Sequence, residues 1–167
     1  MDLSEVLKVF EEDYSIKITE IMSEEGLDMV VVALRLYRDD HRWRDSSFNL
    51  LCSLATRSIL TADQVQEFLK LAYRERDRDY LYKALSFVTH SSYKDTVIKF
   101  ADYLLEKRNT DLCFIALGGL LMPELDFNIS NAFSEKLIVA ARKSTREKKW
   151  KDQLIEVAEK LKKHTTD

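Results

Sequence analysis

The sequence predicts an all-α protein: a right-handed α-solenoid of about four helix pairs, capped at its N-terminus by two further helices. Three observations carry this expectation. Four times an aspartate (Asp45, Asp79, Asp111, Asp152) is followed by apolar residues at offsets +3, +5, +6 and +9, which together form one face of a helix. The 167 residues include only three glycines and one proline, too few for a chain built on β-turns. Each aspartate-led segment is also preceded by a second amphipathic stretch, so the helices come in pairs.

The elements follow in order. Residues 1–26 hold two short amphipathic segments, near 3–13 and 15–25, the second stopped by Gly26; they form the cap that a stack of repeats needs at its end. The four pairs occupy 27–163, and 164–167 is a frayed tail carrying His164. Leading helices are expected over 27–38, 61–75, 93–107 and 130–143, and following helices over 43–58, 78–90, 110–121 and 146–163. Thr61 and Gln64 have the spacing of a capping box, in which each side chain satisfies the other residue's backbone amide. Each repeated aspartate is placed in a first turn, opposite the positive end of the helix dipole, which makes all four structural. The interval containing Pro123 is the longest and accommodates an inserted loop. Gly118 and Gly119 interrupt a strong helix, and close approach of a neighbour is the usual reason.

The aspartates are 34, 32 and 41 residues apart. This period, with two helices per unit, resembles HEAT-like and armadillo-type α-helical repeats over residues 27–163. The chain departs from that pattern in lacking a regular proline in each first helix. Leu51, Leu85 and Leu117 also stand where many such repeats place an arginine. The resemblance implies one domain, residues 1–167, that holds another molecule; a compact bundle is the competing architecture.

Charge and composition narrow the function. Charged residues make up 33% of the chain and apolar residues 46%, a globular balance. No apolar run approaches membrane-spanning length, and the acidic N-terminus is unlike a signal peptide. Cys52 and Cys113 lack the spacing of a disulfide framework or a metal site, which points to a reducing cytoplasm. Net charge is −3 but polarised. Residues 1–30 carry nine acids against Lys8 and Lys17, whereas residues 135–167 carry ten Lys/Arg against six acids.

At outward offsets +1, +4 and +8, large apolar residues stand only in the two middle units (Tyr80, Lys83 and Phe87, then Leu112, Ile115 and Gly119), giving Tyr80, Phe87, Leu112 and Ile115 as a partner-binding patch. The equal alternative is that these helices are buried on both sides. The links between paired helices contain Arg38, Arg42, Arg44, Arg74, Arg76, Arg78, Lys107, Arg108 and a cluster from Arg142 to Lys151, all on one expected edge. Such an edge could meet phosphate or an acidic protein, but interleaved acids and helix C-termini explain most of it. Trp43 and Trp150 each stand two residues before an aspartate, as packing residues or, if exposed, as contact anchors.

No glycine-rich phosphate loop, nucleophile elbow or HExxH is present, and Asp39–Asp40–His41 is a solvated triplet more than a metal site. The expectation is a non-enzymatic protein-binding module without cofactor or metal, a monomer or homodimer. In size, charge and helical class it resembles bacterial immunity proteins, which block a basic toxin domain. That similarity implies a contact through Glu11, Glu12, Asp13, Glu20, Glu24 and Glu25. The alternatives are a HEAT-like DNA-binding protein of the glycosylase type, disfavoured by the negative charge, or a self-associating scaffold.

Overall fold

The computed structural model describes residues 28–74, 78–89, 91–122 and 125–166. The expected N-terminal capping helices, and the acidic residues Glu11, Glu12, Asp13, Glu20, Glu24 and Glu25, lie outside that set. Among the described residues the architecture is eight α-helices, two short 3-10 turns and one pair of two-residue strands. The chain is therefore all-α. The helices are α1 (Met29–Asp39), α2 (Arg44–Thr56), α3 (Ala62–Arg74), α4 (Arg78–Val88), α5 (Lys94–Glu106), α6 (Thr110–Leu121), α7 (Asn131–Lys143) and α8 (Lys148–Lys162). Each end falls within two residues of its expected position.

Local chemistry sets the helix starts. Asp28 caps α1 by accepting from the Val30 and Val31 amides at 3.1 and 3.2 Å. The Thr61–Gln64 capping box is formed in both directions: the Thr61 amide donates to Gln64 Oε1 at 2.9 Å, and the Gln64 amide donates to Thr61 Oγ1 at 3.2 Å. Asn109 and Ser130 cap α6 and α7. Asp45, Asp79 and Asp111 lie in first turns, as expected. Asp152 does not. Because α8 begins at Lys148, Asp152 is its fifth residue, one turn into the helix. A shift of about one turn leaves the apolar offsets on nearly the same face, which is why the sequence pattern still recurs.

The chain divides into two compact units, Met1–Phe87 and Val88–Asp167. In the first, α1 packs on α2 and also meets α3. Their shared core is an aromatic triangle of Tyr37, Phe48 and Phe68, with ring centroids 5.6, 6.0 and 5.4 Å apart. All three are buried, one from each helix, so removing any ring would cost about 3–5 kcal/mol. A 3-10 turn, His41–Trp43, joins α1 to α2; Asp40 accepts from the Arg42 amide at 2.9 Å, and Trp43 is buried beneath the Arg42 guanidinium. Of the two link tryptophans, Trp43 is thus a packing residue.

In the second unit α5 packs on α6, α7 on α8, and α8 also touches α6. The core holds Phe100, Leu104, Leu117, Leu137, Ala158 and Leu161. The loop around the expected insertion is pinned to the C-terminal residues. Strand β1 (Ile129–Ser130) pairs in parallel with β2 (Thr165–Thr166), the Ile129 amide donates to the His164 carbonyl at 2.9 Å, and Phe127 stacks on the His164 ring at 4.2 Å. The expected frayed tail is therefore ordered through His164 to Thr166. A carbonyl left open at the end of α8 is satisfied by the His164 amide, which donates to Leu161 O.

α2 and α5 end alike. The Ser58 amide donates to Ala55 O and the Ile59 amide to Leu54 O; the Arg108 amide donates to Leu105 O and the Asn109 amide to Leu104 O. This is the paired 5→2 and 6→1 closure of a Schellman motif. It forces Ser58 and Arg108 to positive φ, 57° and 59°, where glycine is the usual occupant.

Candidate binding surfaces

The apolar offset set faces inward as the pattern requires. Of its sixteen residues, thirteen are buried, Ile155 and Val157 are half-buried, and Tyr82 is exposed. The opposite face is less uniform than expected. In the first unit Tyr80 and Phe87 are half-buried. In the second, Ile115 is 44% exposed but Leu112 only 4%, so Leu112 belongs to the core and not to a free patch. Leu112 is the third residue of α6, and its amide donates to the Asn109 cap. The first turn of that helix is thereby turned inward, which periodicity alone does not reveal.

Tyr80 is held within its own unit. Its hydroxyl donates to Asp45, and its ring meets Phe48 edge-on at 4.8 Å. One turn further on, Lys83 donates to Asn49 at 3.1 Å and lies over the same Phe48 ring. These outward offsets of α4 thus tie it sideways to α2, and the groove there is lined by Asp45, Asn49, Asp79 and Lys83. The sequence contained part of the signal: Asn49 and Lys83 stand at the same offset, four residues after Asp45 and Asp79, and Tyr80 directly follows Asp79. A corresponding tie occurs in the second unit, where Arg146 donates to Asp111. Both ties span 35 residues.

Within each unit, residues of two links line one groove. In the first, Arg38 and Arg74 line one groove with Asp63 and Glu67. Arg38 lies 3.1 Å from Asp39 and 3.6 Å from Glu67, and its hydrogen-bonded guanidinium holds the Asp39 carboxyl below the ordinary range. Asp40 is spent on its cap, so both carboxylates of the Asp39–Asp40–His41 triplet are held by local bonds. In the second unit the links 105–111 and 143–146 frame an open groove of about 880 Å³. Leu105, Val139 and Ala140 supply its apolar lining, and Val139 is 48% exposed. Two of its carboxylates are matched by cations: Asp102 by Lys136 at 3.5 Å, and Asp111 by Arg146. Arg108 and Lys143 also line it, and neither has an ion pair among the described residues.

Beyond the groove, every residue from Thr145 to Trp150 is exposed, Trp150 at 54%. Sequence reasoning left the two tryptophans equivalent, and the structure separates them. The thiols of Cys52 and Cys113 are buried, and desolvation pushes each up to about 12. At neutral pH such thiols are almost wholly protonated, which makes them poor nucleophiles. Among the described residues no group of three His, Cys, Asp or Glu side chains is placed to hold a metal, and no helix is long and apolar enough to cross a membrane.

Comparison with protein-family models, with curated proteins and with solved structures finds no match to this chain.

Proposed function

We propose that this chain is a non-catalytic protein-binding module. Its four hairpins would stack as a right-handed HEAT-like solenoid behind an N-terminal cap. The observation that most favours this reading is the surface of the second unit, where an apolar-lined groove adjoins the exposed segment Thr145–Trp150. Grooves with accessible apolar anchors are the usual substrate of protein recognition. Two of the link cations, Arg38 and Arg146, are held by carboxylates, which leaves them less free for a nucleic-acid backbone.

Within that class we favour an immunity-type inhibitor. The N-terminal acids would steer a basic toxin domain into contact, and salt would slow that encounter. The test is co-purification from the native source followed by binding kinetics. Reversing Glu11, Glu12, Glu24 and Glu25 to lysine should reduce the association rate for a basic partner at least tenfold at low salt. Binding that is indifferent both to this reversal and to salt would refute the inhibitor reading.

A further inference from the structure

The excess of cations in the sequence falls in residues 135–167, at the opposite end from the acidic segment 1–30. We infer that the groove between the α5–α6 and α7–α8 links takes an acidic amphipathic segment of a partner protein. The inference rests on the protein-binding reading but not on its acidic N-terminal face.

Three observations define the occupant. The lining offers Leu105, Val139 and Ala140, and a valine 48% exposed within a concave surface leaves apolar area uncovered. The charges around it are not balanced. Once the pairs Lys136–Asp102 and Arg146–Asp111 are set aside, the lining retains Arg108 and Lys143 against Glu106. In the exposed segment that follows Arg146, Lys148 and Lys149 outnumber Glu147. Part of this cationic character serves the fold, since Lys143 lies in the last turn of α7 and offsets its dipole. That role leaves its ammonium group exposed and available. Apolar lining flanked by unmatched cations is complementary to a helix with leucine-type residues on one face and carboxylates beside them. A bare phosphate would ignore the apolar lining, and a neutral apolar peptide would ignore the cations.

The experiment uses the full chain and two fluorescein-labelled synthetic helices. One carries leucine and glutamate at helical spacing; the other has glutamine in place of each glutamate. Fluorescence anisotropy should show the acidic probe binding at least tenfold more tightly than the glutamine probe, with affinity falling as salt rises. Lys143→Glu should weaken the acidic probe about tenfold, and Val139→Asp by at least as much. Lys162→Glu makes the same charge change on an exposed α8 position outside the groove and should have little effect. Equal losses from Lys143→Glu and Lys162→Glu would show net charge at work and overturn the site. Equal binding of the two probes would overturn the acidic occupant. Concentration-dependent self-association in light scattering, abolished by Lys143→Glu, would assign the groove to a second copy of the chain and overturn the partner. Circular dichroism and melting of each variant confirm that it is folded, since all three positions are exposed. A basic partner lost on reversing the N-terminal acids, alongside no probe binding, would leave the inhibitor reading intact and refute this one alone.

Discussion

Gly118 and Gly119 are neighbours in one helix, yet substituting alanine at each should move stability in opposite directions. A Cβ at Gly118 would meet nothing within 4 Å. The substitution therefore reports only the backbone term, and Gly118→Ala should stabilise by about 0.5–1 kcal/mol. A Cβ at Gly119 would lie 3.0 Å from Thr89 Cγ2, with Thr89 Cβ at 3.7 Å and Oγ1 at 3.9 Å. One methyl contact is too close, and the others are ordinary. Relieving such overpacking costs about 1–3 kcal/mol, which exceeds the helix gain. Gly119→Ala should then be destabilised by up to about 2 kcal/mol. Urea unfolding read by far-ultraviolet circular dichroism measures both, with each kcal/mol worth about 2–4 °C in Tm for a chain of this size. The cause can be isolated: Thr89→Ser removes Cγ2 and keeps the hydroxyl. In the double variant the penalty of Gly119→Ala should vanish, giving a coupling of about 1 kcal/mol or more. If Gly119→Ala stabilises as much as Gly118→Ala, or if Thr89→Ser leaves its cost unchanged, the close-approach explanation of this glycine is wrong.

Other expectations follow from the same contacts. Arg108→Gly should stabilise by about 0.5–1 kcal/mol, because the left-handed residue closing α5 would lose its Cβ strain; a lower urea midpoint would contradict the Schellman geometry. Thr61→Ala should cost about 1 kcal/mol by opening the capping box that starts α3, and a double cycle with Gln64→Ala should show the two residues coupled. The thiols of Cys52 and Cys113 should resist an aromatic disulfide reagent at pH 8, where a group with pKa about 12 is thiolate in roughly one molecule in ten thousand; rapid labelling without denaturant would refute their burial. Their folded pKa values are raised, so their contribution to stability is complete below the unfolded thiol range. It is lost as pH climbs from about 9 toward 12, at about 1.4 kcal/mol per pH unit for each thiol. Replacing both by alanine should flatten that part of the alkaline unfolding profile.

Periodicity made the helices legible because it is a short-range property, fixed by 3.6 residues per turn and by caps only a few residues away. The Thr61–Gln64 box, and first turns beginning near Asp45, Asp79 and Asp111, could thus be read directly. The surfaces could not, since exposure depends on what a distant segment places over a helix. Leu112 and Ile115 share an outward side by offset, yet one is in the core and the other is half open. Trp43 and Trp150 occupy like positions before their aspartates, but only Trp43 closes a 3-10 turn that buries its ring, with Arg42 lying over it. His164 looked like part of a loose end because nothing in its neighbours announces Phe127, some forty residues earlier, as a stacking partner. Asp152 kept its offsets but not its place in the first turn, since a helix can start one turn sooner without rotating its apolar face.

The sideways bonds of Tyr80 to Asp45 and of Arg146 to Asp111 give the repeat a plug and a socket. The carboxylate at the head of one hairpin is the socket, and the plug arrives 35 residues later in each case, as a phenol in one unit and a guanidinium in the other. Such a joint tolerates a change of plug as long as the reach is kept, so duplicated or exchanged hairpins need conserve only one acid and one donor.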